Sequence, residues 1–354
     1  GGAMAEARVD GMACCVTGGA GLVGRRLCEM LVQRGARRVV AFDIAPKPAD
    51  WDDAVEYLKG DLTKPEDVLK ACQGADCVWH VGALVGPYHP QALYKKVNYE
   101  GTLHVIEACK QLGIRKIVFS SSPGTRFDGS NIRGLTEDQL TFPKKYLQPY
   151  AETKAMGERA CMAACDGKSL LTIAVAPHQV YGPRDVLFLA NFLKASPKLR
   201  VFGTGKNKVS VCYVDNYCHA LILGEKALYP GSPALGRFYI ATDGDPVNFW
   251  DLLDDGISRC GYPSIKQRMR LPYWFIMGLA HIVTFLGALV GKKPRLNPFS
   301  VTMMVIDRYF DISNIKKDLG YEPVVDFKEG WATTIQWYKD NWIAEHGPPL
   351  PNQV

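Results

Sequence analysis

The chain has 354 residues, of which 47% are hydrophobic and 22% charged, and 42 Lys and Arg against 36 Asp and Glu give a net charge of +6. This is the composition of a globular protein with one large or two modest domains. The charge forms no basic block or stripe, which argues against a nucleic acid partner.

The eleven cysteines are scattered along the chain and fit neither a disulfide framework nor a zinc site. Cys161 and Cys165, for example, are spaced like one face of a helix. We therefore expect no bound metal and a reducing, intracellular environment.

The first half of the chain alternates strand and helix patterns. Apolar runs predict buried strands, and apolar residues at helical spacing predict helices. The strands are predicted at 12–17, 38–42, 55–59, 77–81 and 116–120, and the helices at 22–34 and 91–112. This rhythm is typical of an α/β fold with a Rossmann-type, doubly wound parallel sheet.

A glycine loop joins the first strand to the first helix. Gly18, Gly21 and Gly24 allow a tight turn, close approach of a pyrophosphate and close helix packing. Asp43 ends the second strand about 20 residues later, where a carboxylate binds a ribose 2′-hydroxyl and repels a 2′-phosphate. The pattern predicts NAD, unless the neighbouring arginines at 37–38 turn toward the ribose and admit NADP.

Polar residues follow the later strands of this sheet. Asp61 is either a reader of the adenine amino group or an ordinary turn residue. His80 is expected to be packed at the end of its strand. Asn98 interrupts a helix pattern, and a structural role is favoured over one in holding water at the active site. The serines at 120–122 end the fifth strand, at the sheet edge where ligands bind.

Tyr150 and Lys154 are four apart on a predicted helix over 150–165, so their side chains share one face. A nearby ammonium would lower the pKa of the phenol and make Tyr150 a proton acceptor. Tyr262 and Lys266 have the same spacing, but Gly261 and a following proline predict a loop there. We therefore place the reacting pair at Tyr150 and Lys154.

Together these motifs resemble the extended short-chain dehydrogenases/reductases, within them the 3β-hydroxysteroid dehydrogenases, and most closely the branch of sterol-4α-carboxylate 3-dehydrogenases (decarboxylating). The resemblance covers residues 14 to about 338. It rests on these segments: Thr17–Gly24, Phe119–Ser122, Phe127–Gly129, Thr136–Asp138, Tyr150–Lys154, Pro177–Asp185, Gly203–Asn207, Tyr213–Asn216 and Leu271–Trp274.

The resemblance implies NAD-dependent oxidation of the 3β-hydroxyl of a sterol, with loss of CO2 when the sterol carries a 4α-carboxylate. It implies catalysis by Tyr150, Lys154 and Ser122. The cofactor-binding residues that the resemblance implies are Gly18, Gly21, Leu22, Val23, Gly24, Asp43, Asp61, Leu62, Tyr150, Lys154 and Pro177. It also implies a homodimer formed through the helices at 91–112 and 150–165.

Two other activities stay open. A 3β-hydroxysteroid dehydrogenase/Δ5-Δ4 isomerase would need a second proton-transfer group, which the sequence does not identify. A nucleotide-sugar epimerase or dehydratase would need basic residues for a diphosphate, and Arg184, Lys206 and Lys208 could serve.

The second half predicts a smaller, mainly helical substrate lobe. We assign 11–183, with 212–242 returning to it, to the NAD-binding domain, and 184–211 and 243–345 to the lobe. The stretch 271–290 carries no formal charge and is long enough to span a bilayer. Because 307–338 looks like part of the same lobe, insertion into one leaflet or a hairpin that covers the substrate pocket is favoured over a span. A buried core helix stays open as the alternative. Insertion predicts a membrane-associated protein, and the resemblance implies that it lies at the endoplasmic reticulum, facing the cytosol.

Overall fold

The computed structural model describes residues 7–86, 89–292 and 294–347. Its strands are β1 Ala13–Thr17, β2 Arg38–Asp43, β3 Glu56–Lys59, β4 Cys77–His80, β5 Lys116–Ser120, β6 Ile132–Leu135, β7 Leu171–Pro177, β8 Val180–Tyr181, β9 Lys208–Val209, β10 Cys212–Tyr213, β11 Phe238–Ala241, β12 Val247–Asn248 and β13 Arg308–Phe310.

The main sheet has seven parallel strands in the order β11-β7-β5-β4-β1-β2-β3. The predicted doubly wound α/β fold is therefore confirmed. The strand order reverses between β1 and β4, which makes their carboxyl ends the expected place for a cofactor.

Helices cover both faces of this sheet, and others build the second lobe. They are α1 Leu22–Gln33, α2 Pro65–Cys72, α3 Gln91–Tyr94, α4 Gly101–Leu112, α5 Pro149–Ala163, α6 Leu189–Ala195, α7 Val214–Lys226, α8 Phe249–Arg259, α9 Tyr273–Leu289, α10 Pro298–Met303, α11 Ser313–Leu319, α12 Phe327–Trp337 and α13 Ala344–His346. The predicted helix over 91–112 is interrupted by a π-helical turn, Lys95–Glu100, which contains Asn98.

The hydrophobic core lies on both faces of the main sheet. In β1, Val16 packs on one side and Cys15 on the other, and both are fully buried. Successive side chains of a strand point to opposite faces, so a strand covered on both sides is apolar throughout. This explains the continuous apolar runs of the sequence.

A second sheet, with the order β12-β9-β13-β6, pairs a strand from the first half of the chain with three strands from the second half. Its strand β6 lies outside the strands that the sequence predicts, and it pairs with β13 in parallel. The prediction missed β6 because a strand of four residues is stabilised by a partner more than 170 residues away. The lobe is mainly helical apart from this small sheet.

Candidate active site

The glycine loop lies in the crevice between β1 and β4. Gly18 has a φ of +72°, and a Cβ on it would lie 2.6 Å from the Cα of Gly82. A Cβ on Gly24 would lie 2.0 Å from the carbonyl oxygen of Gly18, so glycine is required at both positions. None of the described side chains caps the start of α1, and its first turn contains no acidic residue. The N–H groups of Leu22 and Val23 are thus suited to binding a pyrophosphate.

Asp43 ends β2, on the other side of the glycine loop. Its Oδ2 accepts a hydrogen bond from the N–H of Ala20 at 3.0 Å, and its Oδ1 accepts from the N–H of Ala45 at 2.9 Å. The carboxylate therefore lies against the glycine loop, where a ribose hydroxyl of a dinucleotide would fit.

The two arginines that could admit NADP bind elsewhere. Arg37 donates to the carbonyl of Gly11 and pairs with Asp76. Arg38 pairs with Glu56 and begins β2, whereas Asp43 ends the same strand. Five residues of strand separate Arg38 from Asp43 by about 16 Å. Neither side chain is placed to bind a 2′-phosphate.

Three further predicted cofactor residues lie along the same edge of the sheet. Asp61 forms a turn by accepting from the N–H of Thr63 at 2.8 Å. Leu62 packs so closely on the strand end that a Cβ on Gly82 would lie 2.9 Å from it. Pro177 ends β7 and lines the cavity described below.

The three serines after β5 have different surroundings. The hydroxyl of Ser120 bonds to Tyr217 at 2.7 Å, and the hydroxyl of Ser121 donates to buried Glu158 at 2.5 Å. Ser122 lines the cavity, and its Oγ accepts from the N–H of Gly124 at 3.1 Å. Of the three, Ser122 is the one whose hydroxyl can meet a ligand there.

Tyr150 and Lys154 lie on α5, next to Ser122. Tyr150 lines the cavity, and the Nζ of buried Lys154 donates to the carbonyl of Ser120 at 2.7 Å. Burial raises the pKa of Tyr150 to about 12, and Tyr94 nearby adds to the shift. Burial also lowers the pKa of Lys154 to about 8. The expected lowering of the Tyr150 pKa is therefore wrong for the protein alone, because burial disfavours both charged forms.

The second Tyr-Lys match lies in a loop after α8, as predicted. Lys266 pairs with Asp251 at 2.7 Å rather than with Tyr262.

His80 and Asn98, both predicted to have structural roles, hold the backbone near the site by hydrogen bonds. Both ring nitrogens of His80 are hydrogen-bonded, to Thr17 at 2.7 Å and to Thr102 at 3.0 Å. Burial lowers the pKa of His80 to about 3, so the ring stays neutral. Asn98 holds the loop after β4, because it accepts from the N–H of Leu84 at 2.7 Å and donates to the carbonyl of the same residue at 3.1 Å.

A cavity of about 380 Å³ opens beside Tyr150 and Ser122. Its size suits a small-molecule ligand. Its wall is mostly apolar and comes from both parts of the chain. The apolar residues of the wall include Phe127, Ile132, Leu147, Phe299, Met303 and Phe310.

Arg308 also lines this cavity, and the sequence analysis missed it. The side chain is buried, with 9% of its surface exposed. It donates to the Nε2 of His178 at 3.3 Å and to the carbonyl of Met303 at 3.0 Å, and Nε has no partner among the described residues. Burial lowers its pKa to about 10, so the guanidinium is charged at neutral pH. Within 7–86, 89–292 and 294–347 it pairs with no carboxylate. The sequence signal for a cavity residue here was weak, because it consists only of Arg308 and Phe310 on one face of a three-residue strand.

Helix α9 has an exposed apolar surface. Trp274, Phe285 and Leu289 are 75%, 65% and 69% exposed, whereas Ile276 and Ala280 face the protein and are buried. Among the described residues, no helix combines the length and the apolar content that crossing a bilayer requires. A contiguous apolar surface of this kind usually marks a binding surface.

Comparison with known proteins places these features in context. The profile of the 3-beta hydroxysteroid dehydrogenase/isomerase family matches residues 15–273. The chain is 33% identical to the 3beta-hydroxysteroid-dehydrogenase/decarboxylase isoform 1 of Arabidopsis thaliana, over 91% of this chain and 78% of the relative. It is 32% identical to the human sterol-4-alpha-carboxylate 3-dehydrogenase, decarboxylating, over 92% of this chain and 88% of the relative. It is equally similar, at 32%, to the 2-alkyl-3-oxoalkanoate reductase of Stenotrophomonas maltophilia, over 90% and 97% of the two chains.

Solved structures share the fold at lower identity. The dTDP-glucose 4,6-dehydratase DesIV of Streptomyces venezuelae, solved with NAD and DAU bound, superposes with a TM-score of 0.70 over 93% of this chain and 98% of that chain. The two are 20% identical, so this likeness supports the architecture and not the substrate.

Proposed function

The chain belongs to the 3-beta hydroxysteroid dehydrogenase/isomerase family, and on this premise we propose that it uses NAD to oxidise the 3β-hydroxyl of a sterol that carries a 4α-carboxylate. The 3-keto product is a β-keto acid and loses CO2. The proposal thus makes the protein an enzyme of sterol C4 demethylation.

The observation that carries the substrate proposal is Arg308. A charged guanidinium in an apolar cavity, held by neutral partners, is a favourable site for one carboxylate. It shares the cavity with Tyr150 and Ser122, where a carbinol would react. A plain steroid would leave the buried cation without a counter-charge, which is unfavourable.

The cofactor residues fit NAD. The glycine loop with the uncapped start of α1 suits a pyrophosphate, and Asp43 suits a ribose with a free 2′-hydroxyl. When bound, NAD supplies the hydride acceptor and brings a positive charge close to the phenol.

Tyr150 is the proposed general base. It takes the hydroxyl proton while the carbinol carbon loses a hydride, and Ser122 orients the same oxygen by a hydrogen bond. With a pKa of about 12 in the protein alone, Tyr150 needs positive charge nearby to become a phenolate. Because Lys154 is already part of the protein alone, bound NAD would supply the additional charge, and Lys154 is proposed to hold the nicotinamide ribose.

No separate decarboxylating residue is required. The bond between the ring carbon and the carboxylate breaks, its electron pair moves onto the new ketone as an enolate, and CO2 leaves. A proton then converts the enolate to the product ketone. Tyr150, which holds the proton taken from the alcohol, is positioned to stabilise this enolate oxygen.

The direct test follows NADH formation by the purified protein with four substrates: a 4α-carboxysterol, the same sterol without the carboxylate, a 2-alkyl-3-hydroxy acid and a UDP-sugar. The proposal expects the 4α-carboxysterol to have the highest kcat/KM, by at least about 100-fold over the sterol without the acid, as a buried ion pair implies. Equal rates with and without the carboxylate would contradict it.

A second candidate is the oxidation or reduction of 2-alkyl-3-hydroxy or 2-alkyl-3-oxo acids, as the name of the Stenotrophomonas relative describes. Arg308 favours it equally, because these acids also carry a carboxylate one carbon away from the reacting carbon. Preference for the open-chain acid in the same assay would select this function. An isomerase acting on an uncharged steroid would leave Arg308 without a counter-charge.

We further propose that α9 lies in a lipid surface. Its exposed apolar residues suit the interface of a bilayer, and α10 after it supplies Phe299 and Met303 to the cavity wall. A lipid substrate could then enter directly from the membrane. The expected location is the endoplasmic reticulum, as the resemblance to sterol-forming enzymes implies.

Liposome flotation tests this membrane proposal. Ile282→Asp with Phe285→Asp should reduce the floated fraction about 10-fold, since each places a charge in the acyl region. Val324→Asp, at another exposed apolar position, is the matched control and should float like the wild type. If the wild type itself stays at the bottom of the gradient, the proposal fails.

The homodimer through α4 and α5 also stays a proposal. Leu103 and Leu112 on α4 are 38% and 37% exposed, which agrees with an uncovered helix face. Sedimentation equilibrium of the wild type and of Leu103→Asp would decide it. A wild type that sediments as a monomer contradicts the dimer.

A further inference from the structure

A network of hydrogen bonds joins Arg308 to the strand end after β7. His178 follows Pro177, lines the same cavity and is 7% exposed. Its Nδ1 lies 2.6 Å from the carbonyl oxygen of Ser210, and its Nε2 lies 3.3 Å from Nη1 of Arg308. The ring also meets Phe310 edge to face, with 5.1 Å between the ring centres.

These contacts determine the protonation of the ring. A carbonyl oxygen can only accept, so Nδ1 of His178 carries the hydrogen. A guanidinium can only donate, so Nε2 must offer a lone pair to Arg308. Both conditions are met by the neutral ring with its hydrogen on Nδ1.

Ser210 fixes the positions of His178 and Arg308 relative to each other. It is fully buried, its N–H donates to the carbonyl of Arg308 at 2.9 Å, and its Oγ accepts from the N–H of Phe310 at 3.2 Å. Its carbonyl accepts from His178. One residue thereby ties β13 to the segment after β7, which lie 130 residues apart in the chain.

The chemical type of the hydrogen-bond partner of Arg308 decides whether its charge stays available to a substrate. A carboxylate next to Arg308 would neutralise the cation and compete with an acidic substrate. The carbonyl of Met303 holds only one nitrogen of the guanidinium. A neutral imidazole adds a second fixed contact and leaves the positive charge available.

We propose that His178 is a positioning residue: its Nε2 lone pair orients Arg308 without cancelling its charge, and so sets the preference for a carboxylated substrate. This inference rests on the proposed function, which makes Arg308 the binding partner of the substrate carboxylate. His178 itself does not touch the reacting atoms in this account.

The kinetic test compares two substrates, the 4α-carboxysterol and the same sterol without its carboxylate, for the wild type, His178→Leu and His178→Asn. His178→Leu should raise KM for the carboxylated sterol about 10-fold, equivalent to about 1.4 kcal/mol, and leave kcat/KM for the other within about threefold. The amide N–H of His178→Asn can still donate to Ser210, but its shorter side chain does not reach Arg308, so it should raise KM for the carboxylated sterol as His178→Leu does.

A purely structural histidine would lower kcat/KM for both substrates equally, and that result would overturn the proposal. Unchanged preference in His178→Leu would overturn it as well. If the wild type shows no preference for the carboxylate, the proposed function fails, independently of His178.

A second measurement needs no variant and so avoids any loss of folding. Ring ¹⁵N chemical shifts of His178 in the intact protein should report a neutral imidazole with its hydrogen on Nδ1 throughout pH 6–8. Finding the hydrogen on Nε2 would overturn the proposal, because that nitrogen could not then accept from Arg308.

Discussion

The cofactor crevice and the substrate cavity meet at Tyr150, but they differ in whether their buried polar groups have partners within the protein. In the crevice, Asp43 and His80 satisfy their polar atoms with nearby protein groups. In the cavity, Arg308 keeps a full charge among neutral partners, with Nε unpaired among the described residues. The crevice binds a common cofactor mainly through the shape of its backbone. In the proposed function, this one unbalanced charge selects a ligand that carries a carboxylate.

This contrast predicts that chemistry and substrate choice can be separated by mutation. The largest effect should come from Tyr150→Phe, which removes the proton acceptor. We expect turnover to fall by about 10³-fold while NAD affinity stays within about threefold, measured by steady-state kinetics and NADH fluorescence. Tyr262→Phe is the matched control and should keep full activity. Retention of more than about a tenth of the wild-type rate by Tyr150→Phe would rule out the assigned base.

Arg308→Leu should change the substrate preference and leave the chemical step intact. We expect kcat/KM for a 4α-carboxysterol to fall about 100-fold, because the substrate carboxylate would enter an apolar cavity unpaired. The sterol without the carboxylate should change by no more than about threefold, since it has no charge to pair. Arg133→Leu, an exposed arginine on neighbouring β6, is the control. Equal losses for both substrates would mean that Arg308 only supports the fold.

On the cofactor side, Asp43→Asn should raise the NADP-to-NAD ratio of kcat/KM about 10- to 100-fold. It removes the charge that repels a 2′-phosphate and keeps an acceptor for the glycine loop. Arg38→Ala should leave this ratio unchanged, because its guanidinium is bound at the opposite end of β2. An unchanged ratio in Asp43→Asn would show that another group sets the preference for NAD.

The smallest expected effect is on stability. Burial holds the pKa of Lys154 at about 8, below its usual value of about 10.4, so its charged form destabilises the folded state by about 3 kcal/mol. Lys154→Met should lose activity but gain about 1–2 kcal/mol in the free energy of unfolding at pH 7, because it also loses the bond to Ser120.

The same pKa gives this gain a pH dependence with a defined sign. Between about pH 8 and 10.4 the unfolded wild type binds more protons at Lys154 than the folded form, so wild-type stability rises with pH. The advantage of Lys154→Met should therefore shrink across this window, as urea unfolding at several pH values would measure. A constant advantage would contradict the lowered pKa.

The sequence by itself determined the first five strands of the main sheet, the glycine loop, Asp43 and the choice between two Tyr-Lys pairs, whereas β7 was not predicted. Each depends on a few neighbouring residues whose backbone geometry and periodicity are encoded locally. It also led to the family, since these motifs stand at recognisable spacings.

Only the tertiary structure decided the rest. It separated the three serines by their partners, and it showed that burial raises the pKa of Tyr150. It also brought Arg308 to His178 across 130 residues, through the pairing of β13 with β6 and the bonds of Ser210. Desolvation and long-range register depend on the packing of distant segments, and no local pattern in the chain encodes that packing.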